Sequence, residues 1–152
     1  MKNSASASPR FGTPNVIHGQ CLCGAVTFEI DVPDDHLGET RFCYCRECRR
    51  ANGSMFSSNV PVPKDRYRMT AGQDNVTEYK SSPGTVRAFC TTRGSPVYAH
   101  TDQAPDMIRI RLGTLDEPAK ATPIAHAWVS EKPEWHDIAG DLPQSPQEYT
   151  AS

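Results

Sequence analysis

From Gly19 onward the chain alternates apolar and polar residues in short runs separated by turn formers. Val26, Phe28 and Ile30 alternate with Thr27 and Glu29, the two-residue period of a strand with one buried face. Ile108, Ile110 and Leu112 alternate with Arg109 and Arg111 in the same way. Shorter runs at 67–70, 76–79, 86–90 and 96–100 predict further strands, with turns at 71–75 and 81–84. Val60-Pro61-Val62-Pro63 predicts extended chain, because each proline keeps its predecessor out of the helical region. Residues 33–38 form an acidic turn, and 41–53 are too polar for core, which predicts a loop or strand end followed by a short helical turn. No segment repeats at a fixed period. The pattern as a whole predicts an all-β domain of short strands carrying long functional loops.

Composition narrows this picture. The 152 residues suit one domain, expected at 16–145 between a disordered tail at 1–15 and a short tail at 146–152. Thirteen prolines and ten glycines favour short strands over long helices. A net charge of −2 excludes bulk attraction to nucleic acid or an anionic membrane. No run reaches the roughly 18 apolar residues of a membrane helix. The polar residues before Val16 lack the apolar centre of a secretory signal, so a cytoplasmic location is expected. There, six cysteines point to metal or catalysis more than to disulfides.

Those cysteines fall into three groups: Cys21-Leu22-Cys23, Cys43-Tyr44-Cys45-Arg46-Glu47-Cys48, and Cys90. In extended chain, residues i and i+2 share a face, so Cys21 and Cys23 project together, as do Cys43 and Cys45. One tight turn brings Cys48 back toward the same point. Thiolates are soft donors that suit tetrahedral zinc. Three of them leave one position for something else, the mark of a catalytic zinc, whereas a distant Cys or His closing the site would make it structural. A Cys45/Cys48 redox pair is disfavoured because no βαβ pattern surrounds it. Arg46, Arg49 and Arg50 flank the cluster and are candidates for offsetting its negative charge or holding a substrate carboxylate. Tyr44, between two ligand candidates, could line a pocket or pack as an ordinary strand-end aromatic. His126 and Trp128, at i and i+2, would share a strand face, most simply as a structural His and a core Trp. His36, Trp135 and His136 read as structural or surface residues.

The ordered motifs Gly19-Gln20-Cys21-Leu22-Cys23-Gly24, Cys43-x-Cys45-x-x-Cys48-Arg49 with Gly53-Ser54, and Phe89-Cys90-x-x-Arg93-Gly94-Ser95-Pro96 resemble the glutathione-dependent formaldehyde-activating enzyme family. The ending His126-Ala127-Trp128-Val129-Ser130, Pro133-x-Trp135 and Asp141-Leu142-Pro143-Gln144 resembles it too. The resemblance implies a β-rich, tent-like fold of the Mss4-like class and a reactive zinc on Cys43, Cys45 and Cys48. It also implies a second, structural zinc held by the first and third motifs. The family's fourth ligand there is a cysteine, and this chain has Arg93, which cannot ligate a metal. Either His18 or His100 completes the site, or the metal is lost and Arg93 stands as a cation among the sulfurs. A guanidinium in place of a ligand favours loss and one zinc per chain, with a second possible.

The chemistry this would support is a carbon–sulfur lyase reaction, in which a thiol such as glutathione adds to formaldehyde or a related small electrophile. The zinc could act on the thiol, lowering its pKa, or on the carbonyl oxygen as a Lewis acid. The competing reading is a non-catalytic zinc module that binds another protein. A nucleic-acid-binding zinc ribbon is disfavoured by the charge balance and the lack of a basic, aromatic patch.

Overall fold

A computed structural model describes residues 15–116 and 120–150. The expected N-terminal tail lies outside the described residues except for Asn15, which opens the first strand. Ten strands and one α-helix follow in chain order: β1 (Asn15–Gln20), β2 (Thr27–Val32), β3 (Gly38–Cys43), α1 (Arg46–Asn52), β4 (Ser57–Pro63), β5 (Tyr67–Ala71), β6 (Val76–Ser82), β7 (Thr85–Cys90), β8 (Pro96–Thr101), β9 (Met107–Arg111) and β10 (Ala121–Ala127). The all-β class expected from the sequence is the one observed. Among the described residues, no helix is long and apolar enough to cross a membrane.

Two sheets share the strands, a three-stranded one ordered β1-β2-β5 and a seven-stranded one ordered β10-β3-β4-β9-β8-β7-β6. All pairings are antiparallel except β10 with β3. The core forms between the sheets, where Ile17, Phe28, Ile30 and Val32 meet Val60, Val62, Ile108 and Ile110. These are the apolar positions of the alternating runs, so hydrophobic burial and strand register select the same face.

β1 and β10 went unpredicted, and of β3 only the end was anticipated; proline explains β10. β10 contains Pro123, which lies at a register shift in the pairing with β3, on the outermost strand of the sheet, whose outer side is bridged at His126 by Gln144. An edge strand with a bulge is where a sheet tolerates proline. Pro61 and Pro63 in β4 obey the same rule. β3 pairs with β4 only through Ser57, Ser58 and Asn59, so both prolines lie where β9 alone is alongside.

The other face of the large sheet positions the site. Register places Cys43 opposite Ser57, Asn59 opposite Arg111, and Tyr79, Arg87, Ala99 and Arg109 in one row across four strands. With the two-residue period, all of these share one face. The alternation of Arg109 and Arg111 with isoleucines suggested a solvated face, and that holds only for Arg109, which is exposed, while Arg111 is buried.

Candidate metal centre

Cys43 ends β3, and the chain turns at once into α1. Cys45 is the N-cap of that helix, its sulfur accepting from the Cys48 N–H at 3.3 Å, so one thiol caps the turn that presents the next. Asn52 closes the far end by donating from Nδ2 to the Cys48 carbonyl at 2.7 Å. Gly53 ends the helix in the left-handed region, φ 60°, a conformation that suits glycine. These local bonds fix Cys48 Sγ toward its two partners, and the ligand atoms of Cys43, Cys45 and Cys48 all lie within 4.8 Å of one another.

The second trio is built from more distant parts. Cys21 lies in the turn after β1, held by Cys21 N to Val26 O at 3.0 Å and Val26 N to Cys21 Sγ at 3.3 Å. Cys90 ends β7, and Ser95 Oγ accepts from the Leu22 N–H at 2.9 Å, tying the two turns together. Cys21 and Cys23 sulfurs are 3.5 Å apart, and those of Cys23 and Cys90 are 3.8 Å apart. Sulfurs on a tetrahedral zinc with bonds of about 2.3 Å would stand about 3.8 Å apart, so the donor set and spacing fit a zinc-like ion. All six cysteines are free thiols.

Among the described residues, no fourth Cys, His or carboxylate joins either trio. His18 lies 3.6 Å from Glu29 and His100 lies 3.4 Å from Glu78, so neither completes the second trio. Arg93 is exposed, and among the described residues no hydrogen bond or ion pair holds it to the sulfurs, which gives no support to the alternative in which it stands as a cation among them.

The thiols differ electrostatically. S–H groups of Cys43 and Cys45 stabilise a thiolate at Cys48, and the Ser57 hydroxyl and Arg87 guanidinium add to this, holding Cys48 well below the ordinary thiol range despite burial. Cys43 moves up through its contacts with Cys45 and Cys48 and through burial, and Cys45 is raised as well. In the second trio burial opposes ionisation of Cys21, yet hydrogen bonds from Val26, Cys23 and Cys90 bring it down to about 7. Clustered thiols thus ionise one at a time, and a cation is what allows all three to be thiolates.

Around the first trio, a network absent from the sequence reading takes over the electrostatics. Arg87 Nη2 lies 3.9 Å from Cys48 Sγ and 3.3 Å from Glu47 Oε1, while its Nε donates to Ser81 Oγ at 3.0 Å. Arg111 donates to Asn59 Oδ1, Asn59 Nδ2 donates to Ser57 Oγ at 3.1 Å, and Ser57 contacts Cys48. Burial and the nearby Arg87 charge lower Arg111 to about 10, so it remains a cation at neutral pH. Arg87 and Arg111 flank a cavity of about 250 Å³.

The flanking arginines behave differently from these two. Arg46 and Arg50 are exposed on α1, and Arg49 is partly buried, its Nε donating to the Tyr44 carbonyl at 3.1 Å. Tyr44 points into the core at 2% exposure, where its hydroxyl meets His126 Nδ1 at 3.1 Å and its ring packs on Phe56 and His136. Trp128 does not share a strand face with His126, because its backbone turns left-handed, φ 58°, just past β10. It is half-buried and donates from Nε1 to Glu148 Oε2 at 3.3 Å. Nothing local marks Arg87, Arg111, Asn59 or Ser57 as site residues, since only the register across β4, β9, β8 and β7 brings them together.

Comparison with known proteins agrees with the cysteine motifs. Residues 16–131 match the sequence model of the family described as glutathione-dependent formaldehyde-activating enzyme. A Halomonas elongata protein provisionally given that name is 27% identical over 131 residues, covering 81% of each chain. Proteins with the same provisional name from Podospora anserina and Talaromyces marneffei are each 24% identical, over 78% and 77% of this chain. This chain spans only 49% and 56% of those two fungal proteins. The crystal structure of a Rhodobacter sphaeroides protein superposes with a TM-score of 0.56 at 22% identity, over 69% of this chain and 99% of that one, a likeness of fold.

Proposed function

Because the chain belongs to the glutathione-dependent formaldehyde-activating enzyme family, we propose that it is a zinc-dependent carbon–sulfur lyase joining a thiol, glutathione foremost, to formaldehyde or a related small electrophile. The observation that carries this reading is the convergence of Cys43, Cys45 and Cys48 with no fourth protein donor among the described residues. In the reaction the thiol sulfur bonds to the carbonyl carbon, the carbon–oxygen π bond breaks, and the thiol proton ends on that oxygen. The reverse step cleaves the same carbon–sulfur bond.

Cys43, Cys45 and Cys48 would hold a zinc, which would supply a Lewis acid able to lower a thiol pKa or polarise a carbonyl. The chain's own groups prepare the site for that charge. Arg87, braced by Glu47 and Ser81, sets a buried cation against the Cys48 sulfur. Ser57, oriented by Asn59, adds a hydroxyl donor to the same sulfur. Arg46 and Arg50 are exposed on the helix that follows Cys45, which supports reading them as the groups that meet glutathione carboxylates.

The test compares the rate at which glutathione and formaldehyde interconvert with their adduct, read by NMR exchange spectroscopy, with wild type and Cys45→Ser. Serine keeps an N-cap acceptor, so helix α1 is retained while one sulfur is lost. We expect acceleration by the wild type alone. Equal rates would remove the formaldehyde assignment and favour a non-catalytic metal module.

A further inference from the structure

The cavity of about 250 Å³ beside the first sulfur trio contributes no ligand to it, although its wall includes the arginine that touches Cys48. Tyr79, Arg87, Phe89, Gly94, Pro96 and Arg111 line it, with no Asp or Glu among the lining residues.

Its two cations are matched differently. Arg87 has Glu47 as an ion-pair partner, Ser81 as an acceptor, and Cys48 beside it. Arg111 is 6% exposed, and its polar partner is the neutral amide of Asn59. The Arg111 Nε is fully buried with no hydrogen-bond partner, and among the described residues no carboxylate pairs with this guanidinium. The Cys48 thiolate acts on Arg111 by charge, with no hydrogen bond between them among the described residues, so this buried guanidinium keeps an unused donor, and its planar fork matches a carboxylate.

We propose that this cavity is a carboxylate-binding subsite in which Arg111 takes the charge of a small substrate held next to the sulfur trio. Its volume is below the roughly 300–1,000 Å³ of pockets for drug-sized ligands. It therefore admits a short carboxylic acid, or one carboxylate end of a larger thiol, but not the whole of glutathione. The consequence for turnover rests on the lyase reading above, while the binding itself does not. The carboxylate has two possible sources, an electrophile such as glyoxylate or the thiol.

Calorimetric titration of the full-length, metal-loaded protein with acetate, and with neutral acetamide of the same shape, tests the subsite directly. We expect saturable acetate binding, at least tenfold stronger than that of acetamide. Arg111→Gln should weaken acetate at least tenfold with metal content unchanged, and Arg111→Lys should retain part of the affinity. Equal binding of acetate and acetamide by the wild type overturns the proposal without recourse to any variant. Loss of metal from Arg111→Gln in step with acetate binding overturns it too, because Arg111 would then serve the sulfurs.

Four reactions identify the source: glutathione or 2-mercaptoethanol, each with glyoxylate or formaldehyde. If the electrophile carries the carboxylate, Arg111→Gln lowers kcat/KM at least tenfold more in both glyoxylate reactions than in the formaldehyde reactions. If the thiol carries it, both glutathione reactions fall at least tenfold more than the mercaptoethanol reactions. A uniform fall across all four overturns the subsite. Absence of catalysis by the wild type in every reaction defeats the lyase reading and leaves the acetate result standing.

Discussion

Arg87 Nη2 lies 3.9 Å from Cys48 Sγ, joining strand β7 to the helix that presents the first sulfur trio. A buried cation is thus part of the sheet itself, fixed by Glu47 and Ser81 before any ligand arrives. Arg87→Gln should lower stability by about 2 kcal/mol, less than the roughly 3–5 of a fully buried pair, because the Glu47 side chain is 41% exposed. Urea unfolding measures this, and the same variant should release metal to a chelator faster than wild type.

The second sulfur trio has three donors and an exposed Cys23. Any metal this trio takes up should leave first when the metal-loaded protein is titrated with a chelator, the Cys43/Cys45/Cys48 equivalent leaving later. Arg93→Cys should close this gap by supplying a fourth sulfur in the Cys90 turn. Elemental analysis at each chelator concentration reads the order. Simultaneous loss from wild type, or no extra retention in Arg93→Cys, would contradict it.

His126 should make stability fall in mildly acidic solution. Burial and the neighbouring His136 lower its pKa from the ordinary 6.5, and Tyr44 reaches its Nδ1. The unfolded chain therefore binds a proton that the folded chain resists, so stability rises with pH across that interval. It is complete above about 6.5 and is lost as pH falls toward the folded value, below which this contribution to the slope ends. Urea midpoints measured from pH 8 to pH 5 should show this slope, and His126→Gln should flatten it.

Gly72 holds a left-handed backbone, φ 83°, and a Cβ there would stand 2.1 Å from the Ala25 carbonyl oxygen. Neither backbone can yield cheaply, since Ala25 and Val26 follow the first cysteine turn. Gly72→Ala should cost at least about 2 kcal/mol, read by thermal or urea unfolding. A neutral result would mean that the β5 turn moves freely against the Cys21/Cys23 turn.

The cysteine motifs and most strands were legible in the sequence because both are local. Two-residue alternation puts Phe28 and Ile30 inward, and Cys45 caps the helix that carries Cys48 within four residues. β1 and β10 were not, and in β10 the proline is acceptable only because of where the strand ends up in the sheet. The same limit hid Arg87, Arg111, Asn59 and Ser57. The sequence put candidate arginines beside the cysteines at 46, 49 and 50, yet the guanidinium touching Cys48 comes from β7, 39 residues away. Local periodicity sets which side chains alternate, so the sequence alone determined the thiols that could hold a metal and the strand class. The order of β4, β9, β8 and β7 determined which side chains become neighbours and which buried cation has no carboxylate partner among the described residues, because those contacts depend on pairings between distant segments that no short window of sequence contains.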